Sequence, residues 1–284
     1  MKRFRVIHRT TYDFSDIAEL GAHTLRLRPR EGHDQRIESS TLTIAPAAEL
    51  KWYRDGESNS VAIARFTEST CQLTIDCNSV VQKFDISPQD FLVDDYAVNY
   101  PFSYAAEDRL TLSPYTQCGG KTDCSALKKW FAKVWSPVQS IQTFELLLLL
   151  NQHIYTTLNY VKRDEEGVQN SLTTLNNNEG SCRDLANLFI DIARSLGFAA
   201  RFVSGYVYTE DVDDLSGTTH AWAEVLIPGA GWKGFDPTHG CLVGAYHIAV
   251  SVSRLPELVP SVSGIFWGLS DSSLKVDVWV TEIS

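Results

Sequence analysis

Glu179-Gly180-Ser181-Cys182-Arg183-Asp184-Leu185-Ala186-Asn187-Leu188-Phe189-Ile190-Asp191-Ile192-Ala193-Arg194-Ser195-Leu196-Gly197 reads as one capped amphipathic helix. Ser181 is a good N-cap residue, and Asp184 three positions later completes a capping box. Leu185, Leu188, Phe189, Ile192 and Leu196 recur at helical spacing, and Gly197 supplies the stop. Cys182 therefore falls on the first turn of a helix whose far face is anchored in a core. The thiolate is the nucleophilic form of cysteine, and the positive end of a helix lowers a thiol pKa from its reference of about 8.5. The unpaired amides of that turn can also receive an oxyanion.

Strand patterns follow over Ala200 to Tyr208, Thr219 to Ile227 and Trp232 to Phe235. Pro228-Gly229-Ala230-Gly231 folds the last two into a hairpin. His220 opens one arm of that hairpin and Asp236 ends the other, so an antiparallel pair brings both to one end of the sheet. The simple register does not set them opposite each other, and a bulge or slip is expected. In such a constellation His220 takes the thiol proton and returns one to the leaving group, while Asp236 holds the imidazole. Each residue also has a plainer reading. Cys182 suits a buried small hydrophobe, His220 a strand-edge residue and Asp236, before Pro237, a turn former. Trp222 and Trp232 flank the set and are either core or the wall of an acyl groove. The acidic loop Glu210 to Thr218 runs into His220 and is a candidate cover for a cleft.

Working outward, residues 1 to about 86 alternate with a period of two, at Leu25/Leu27, Leu42/Ile44, Val61/Ile63 and Leu73/Ile75/Cys77. Turn signals separate these runs, which predicts a small β-sandwich with Cys71 and Cys77 in its core. Asp85 to Pro114 has no sustained period and marks the junction. The expected units are 1–90, an N-terminal β-sandwich, and 91–284, an α+β unit that includes the C-terminal strands. Asp123 caps a helix through Leu127, Trp130, Phe131, Val134 and Trp135, and Ser136-Pro137 opens the next, through Ile141, Phe144, Leu147, Leu148, Ile154, Tyr155 and Leu158.

The chain has 284 residues, 25 Lys and Arg against 35 Asp and Glu, and a net charge of −10. That balance excludes the clustered cation that a nucleic-acid backbone requires. The longest aliphatic run, Leu146 to Leu150, is too short to span a bilayer. Six cysteines with no secretory pattern in front of them read as reduced thiols in the cytoplasm. Several suggestive patterns fail. Gly120-Lys121-Thr122 lacks the earlier glycine of a phosphate loop, and Cys118 and Cys124 are too far apart for a zinc knuckle. Asp211 to Asp214 misses a calcium ligand at Leu215, and His239, Cys241 and His247 fit no standard metal spacing. Arg26, Arg28 and Arg30 share one face, expected to be solvated.

Gly180-Ser181-Cys182-Arg183-Asp184, Ser204-Gly205-Tyr206, His220-Ala221-Trp222-Ala223-Glu224-Val225 and Gly231-Trp232-Lys233-Gly234-Phe235-Asp236-Pro237-Thr238 together resemble the core of bacterial transglutaminase-like cysteine enzymes. Thr11-Tyr12-Asp13-Phe14, His23 to Pro29 and Trp52-Tyr53-Arg54-Asp55 resemble the β-rich region that precedes that core. The resemblance implies a papain-like α+β core with Cys182, His220 and Asp236 as its catalytic triad. The implied chemistry is acyl transfer on protein or peptide amides through a thioester, by hydrolysis as in a cysteine protease or by transamidation. No cofactor and no metal are implied. Many members have Asn where this chain has His239, and Tyr160 is a candidate side-chain partner for the oxyanion. The alternatives are an arylamine N-acetyltransferase-like enzyme with a small thioester donor, and a catalytically silent binding module.

Overall fold

The computed structural model describes residues 1–84, 87–118, 124–136, 140–209, 219–268 and 271–283. Its architecture is mixed α+β, with a β-sandwich packed against a helix-backed antiparallel sheet.

The period-two alternation near the N-terminus builds two antiparallel sheets. One runs in the order Gln35–Ala45, Thr70–Lys83, Lys2–Leu20, and the other Ala48–Arg54, Ser60–Phe66, His23–Leu25. Leu25, Leu27, Ala62 and Ala64 from one sheet meet Phe14, Leu20, Leu73 and Ile75 from the other in a shared core. Cys77 joins that core, whereas Cys71 is exposed. The reason is local: pairing with the first strand shifts between Asp13 and Ala18, so the strand end that carries Cys71 lies past the regular ladder.

The C-terminal strands, expected with the 91–284 unit, complete the sandwich instead. Ser272–Glu282 pairs with the first strand in continuous register from Phe4↔Glu282 to Phe14↔Ser272. Phe266–Trp267 pairs further along the same strand, and Val262–Ser263 pairs with His23–Leu25. Two forces favour this return. The first strand would otherwise leave a long row of unpaired backbone groups. Val276, Val278 and Val280, at alternate positions, also pack with Phe4, Val6 and Val81 against Tyr206, Ile248 and Val250.

Behind the sandwich lie, among the described residues, five helices, α1 Ala106–Thr116, α2 Cys124–Phe131, α3 Thr143–Thr157, α4 Ser171–Asn177 and α5 Cys182–Ser195. A five-stranded sheet faces them, ordered Cys241–Leu242, Gly231–Asp236, His220–Ile227, Ala200–Val207, His247–Ser253. Helix α1 has no counterpart in the sequence reading, because only Leu112 is buried and no apolar stripe marks it. Helix α3 begins at Thr143 and not at Ser136-Pro137. Ile141–Gln142 is drawn off into a two-residue pairing with Asn99–Tyr100. Helix α5 fulfils its pattern: Leu185, Leu188, Phe189 and Ile192 are buried, and Gly197 takes φ +96°, where an L-residue is strained. Ala221, Ala223, Val225 and Phe235 share its core, with the Phe189 and Phe235 rings stacked at 5.2 Å.

Polar clasps hold the sandwich to the sheet. Asn59, fully buried, donates to the Val252 carbonyl at 2.8 Å and accepts from the Val252 N–H at 2.8 Å. The Arg30 N–H and the Gln35 amide both donate to the Ala249 carbonyl, at 2.9 and 3.1 Å. Arg30 also donates to Asn59 Oδ1 at 2.6 Å, so the arginine face expected to be solvated is half-buried and part of this joint. His8 sits between the Tyr206 hydroxyl (2.9 Å) and Thr10 Oγ1 (3.0 Å), and burial pushes its pKa down to about 4. Asn59→Ala strands two buried backbone groups and is expected to cost about 2–4 kcal/mol in urea unfolding; an unchanged midpoint contradicts the clasp.

Candidate active site

The nucleophile helix is set by its first turn. Asp184, fully buried, accepts from the Ser181 N–H at 2.8 Å and the Ser181 hydroxyl at 2.7 Å. It also accepts from the Gln169 N–H at 2.7 Å, and Arg163 reaches both its oxygens at 2.8 Å. Burial pushes the Asp184 carboxyl up, but the donors from Gln169, Ser181 and Arg163 outweigh it and hold the group below the usual carboxylate range. The loop before α4 is thereby tied down over the start of α5, and Arg183 adds donors to the Arg163 and Glu165 carbonyls. A Cβ at Gly180 would come within 2.9 Å of Asp184 Cβ, so the turn closes only around glycine. Cys182 emerges from this brace at the first position of α5, partly exposed.

Across from it stand His220 and Asp236. The hairpin keeps the plain register, Ala223↔Phe235 through Ile227↔Gly231, with no bulge. Continued outward, that register sets Asp236 level with Trp222, so His220 and Asp236 are diagonal neighbours on one face. Diagonal Cβ atoms lie roughly 7–8 Å apart, which an imidazole and a carboxylate span without the slip expected from the sequence. His220 Nε2 meets Asp236 Oδ2 at 2.7 Å, and the Cys182 side chain is near enough to the ring to act on its titration. Gly205 makes room for the neighbouring ring: a Cβ there would stand 2.6 Å from Trp222 and 2.3 Å from the Ile248 carbonyl.

Two further histidines reach the same oxygen. His239 Nδ1 lies 2.7 Å and His247 Nε2 3.1 Å from Asp236 Oδ2, while Oδ1 accepts from the Thr238 and His239 N–H groups at 2.9 and 3.3 Å. Burial alone would raise the Asp236 carboxyl, but the hydrogen bonds from His220, His239 and His247 hold it far below the usual carboxylate range. Burial likewise disfavours charge on His220, but its bond to Asp236 and the nearby Cys182 sulfur push it up to about 10. His247 goes the other way, lowered by burial, which makes it a neutral donor through Nε2 with Nδ1 accepting from the Gly244 N–H at 3.4 Å. The Asp-Pro-Thr-His order places His239 one turn after Asp236 and is the signal that could have found it. His247 opens a strand paired to Ala200–Val207, a long-range placement that nothing local announces.

Among the described residues, His220, Asp236 and His247 are the set whose ligand atoms, within 4.8 Å of one another, could hold a metal ion. To do so they would give up the hydrogen bonds that now converge on Asp236 Oδ2. Trp222 is buried and belongs to a core with Val203 and Val252, while Trp232 lies beneath Arg201, 4.1 Å from ring centroid to guanidinium. The loop Glu210 to Thr218 lies outside the described residues. The expectation of six reduced thiols is corrected at one pair: Cys118 and Cys124 join the end of α1 to the start of α2 in a disulfide, their Cα atoms 6.5 Å apart. With that pair bridged, the cysteines no longer argue for a reducing compartment. Among the described residues no helix is long and apolar enough to cross a membrane.

The raised His220 pKa has a sign that can be checked. Its folded value lies above the reference of 6.5, so the stabilisation is whole below pH 6.5 and disappears as pH rises through about 10. In an NMR titration His220 is expected to remain protonated through pH 7, and in Asp236→Asn its midpoint falls to 6.5 or below. An Asp236→Asn midpoint equal to wild type would contradict the pairing.

Residues 4–82 match the model of the bacterial transglutaminase-like N-terminal region, and residues 138–237 match that of the transglutaminase-like superfamily. An uncharacterized protein of Mycobacterium tuberculosis is 33% identical over 302 aligned positions, covering 98% of this chain and 91% of its own. An uncharacterized protein of Mycobacterium leprae is 26% identical over the whole of both chains, 100% each. The crystal structure of a candidate cysteine protease from Cytophaga hutchinsonii has the same fold, with a TM-score of 0.75 at 18% identity, covering 100% of this chain and 91% of that one. With its two units matched in order and a relative of this identity along almost its whole length, the chain belongs to the transglutaminase-like superfamily, of the kind that carries the bacterial N-terminal region.

Proposed function

We propose that this protein is a cysteine-nucleophile enzyme that transfers acyl groups from protein or peptide amides through a thioester on Cys182. The observation that carries the proposal is the position of His220, hydrogen-bonded through Nε2 to a buried, three-histidine carboxylate and close enough to Cys182 for the sulfur to raise its pKa. The protonated ring next to the sulfur supports a thiolate nucleophile. That thiolate attacks the amide carbonyl carbon, and the carbonyl π electrons move to oxygen, which can accept a hydrogen bond from the backbone N–H of Cys182. Collapse breaks the C–N bond, and the His220 imidazolium gives its proton to the departing amine. Water or a second amine then attacks the thioester carbonyl as His220 takes its proton, and the C–S bond breaks, releasing the acid or new amide and restoring the Cys182 thiolate beside the His220 imidazolium.

Asp236 holds the ring in the orientation and charge state this cycle needs, and does not itself exchange a proton. No step requires a group from outside the chain, so activity is expected to survive chelation by EDTA; loss on chelation and return with a divalent ion would favour a metal held by His220, Asp236 and His247.

Iodoacetamide below pH 7 tests the proposal. Cys71 and Cys241 are exposed free thiols and Cys77 is buried, so they are internal controls for Cys182. Cys182 is expected to alkylate at least 10-fold faster than any of them, on the order set by how strongly microenvironments perturb thiols, and His220→Ala abolishes the preference. Labelling in proportion to exposure alone would favour a catalytically silent module. Turnover of a peptide with and without a primary amine then separates hydrolysis from transamidation.

A further inference from the structure

We infer that His239 is a positioning residue that acts through Asp236: by donating to Oδ2 beside His220, it loosens the carboxylate's hold on the His220 proton and frees that ring to act as the base that resolves the thioester. The inference rests on the acyl-transfer reading and concerns its second half. While the sulfur carries the acyl group it has no charge, and Asp236 is then the anion that holds a proton on His220. A hold that is too tight leaves the ring able to give a proton but not to take one from water or an amine.

His239 meets both oxygens of Asp236. Its backbone N–H reaches Oδ1 at 3.3 Å, and its Nδ1 reaches Oδ2 at 2.7 Å, the same distance as His220 Nε2. The acceptor is an ionised carboxylate, so the hydrogen of this contact lies on the imidazole nitrogen. The His220 and His239 rings stand 5.0 Å apart around that oxygen. Each N–H that Oδ2 accepts stabilises its charge and makes it a weaker base toward the others.

The three rings are not equally free to vary. The His220 and His247 side chains are 8% and 6% exposed, and His247 is also tied to its strand and to the Gly244 N–H. The His239 side chain is 43% exposed, and among the described residues its hydrogen-bond partner is Asp236 Oδ2. Such a ring contributes to the carboxylate and little to packing. The other titratable groups here are Cys182 from α5, Tyr155 of α3 against Gly240, and Cys241, whose backbone pairs with that of Asp236. Burial, and then the Asp236 charge, push the Cys241 thiol up to about 11, so it adds no charge near neutral pH.

The test compares His239→Ala with His239→Asn, whose side-chain N–H stands where the imidazole Nδ1–H stands relative to Cβ. In Cys182→Ala, which like the acyl-enzyme has no thiolate beside the ring, NMR titration reads the His220 midpoint. Adding His239→Ala is expected to raise that midpoint by about one pH unit, the scale of ordinary environmental shifts, and His239→Asn to return it to the parent value. With Cys182 present and acetylated by p-nitrophenyl acetate, single-turnover decay of the thioester follows the same order. Its pH midpoint moves up in His239→Ala, slowing decay about tenfold at a fixed pH below it, and His239→Asn restores it. An unmoved His220 midpoint in His239→Ala overturns the proposal. So does an Asn variant that titrates like the Ala variant, which would make the ring and not its N–H the cause. Decay slowed equally at every pH, the mark of a disturbed fold, overturns it as well. A wild-type chain that forms no thioester on Cys182 overturns the acyl-transfer reading itself, and this proposal with it.

Discussion

A single carboxylate oxygen, Asp236 Oδ2, accepts hydrogen bonds from three imidazoles, and the geometry of the site follows from keeping that buried charge satisfied. An ionised carboxylate taken from water costs several kcal/mol unless donors surround it. Here the donors come from three places in the chain: His220 at the head of one strand, His239 in the turn, and His247 at the head of another. Satisfying one oxygen therefore fixes the relative position of two strands and a turn. Of the three, His220 is the one near enough to Cys182 for the sulfur to act on its titration. His247, neutral and bonded to the Gly244 N–H, anchors the carboxylate from the sheet side.

The other half of the site depends on a second buried carboxylate. Asp184 does for the cysteine helix what Asp236 does for the histidine hairpin, gathering Ser181, Gln169 and Arg163 so that the first turn of α5 has one position. The same loop network stations Tyr160 beside Gly180. The two carboxylates never meet. They are joined by the shared core of α5 with Ala221, Ala223 and Phe235, and that core sets the distance between sulfur and imidazole. The sandwich in turn covers the sheet's far side through Asn59, Arg30 and Gln35, so both units contribute to the stiffness of the site.

What could be read from the sequence was what short-range pattern encodes. Helix α5, its cap residue and its glycine stop were legible because 3.6-residue spacing and end signals are local. So were the hairpin and the placing of Cys182, His220 and Asp236 at matching ends. The return of Ser272–Glu282 to the first strand was not, since pairing partners far apart in the chain leave no mark in the alternation itself. Helix α1 escaped because it buries one residue and carries no stripe. His239 and His247 were seen as a metal spacing that did not fit, when their role is to share one acceptor. The expected bulge at His220 came from treating cross-strand contact as strictly opposite, whereas long side chains reach the diagonal neighbour.

The central claim is that the protonated His220, held by Asp236, turns Cys182 into an acyl acceptor. Acid quench of the protein during turnover of p-nitrophenyl acetate, followed by peptide mass spectrometry, tests it directly. The account predicts an acetyl thioester on the peptide containing Cys182, labile to hydroxylamine, and none on Cys71 or Cys241; both Cys182→Ala and His220→Ala should show no thioester. Turnover that persists in Cys182→Ala, or an acetyl group found on another residue at the same rate, would contradict it.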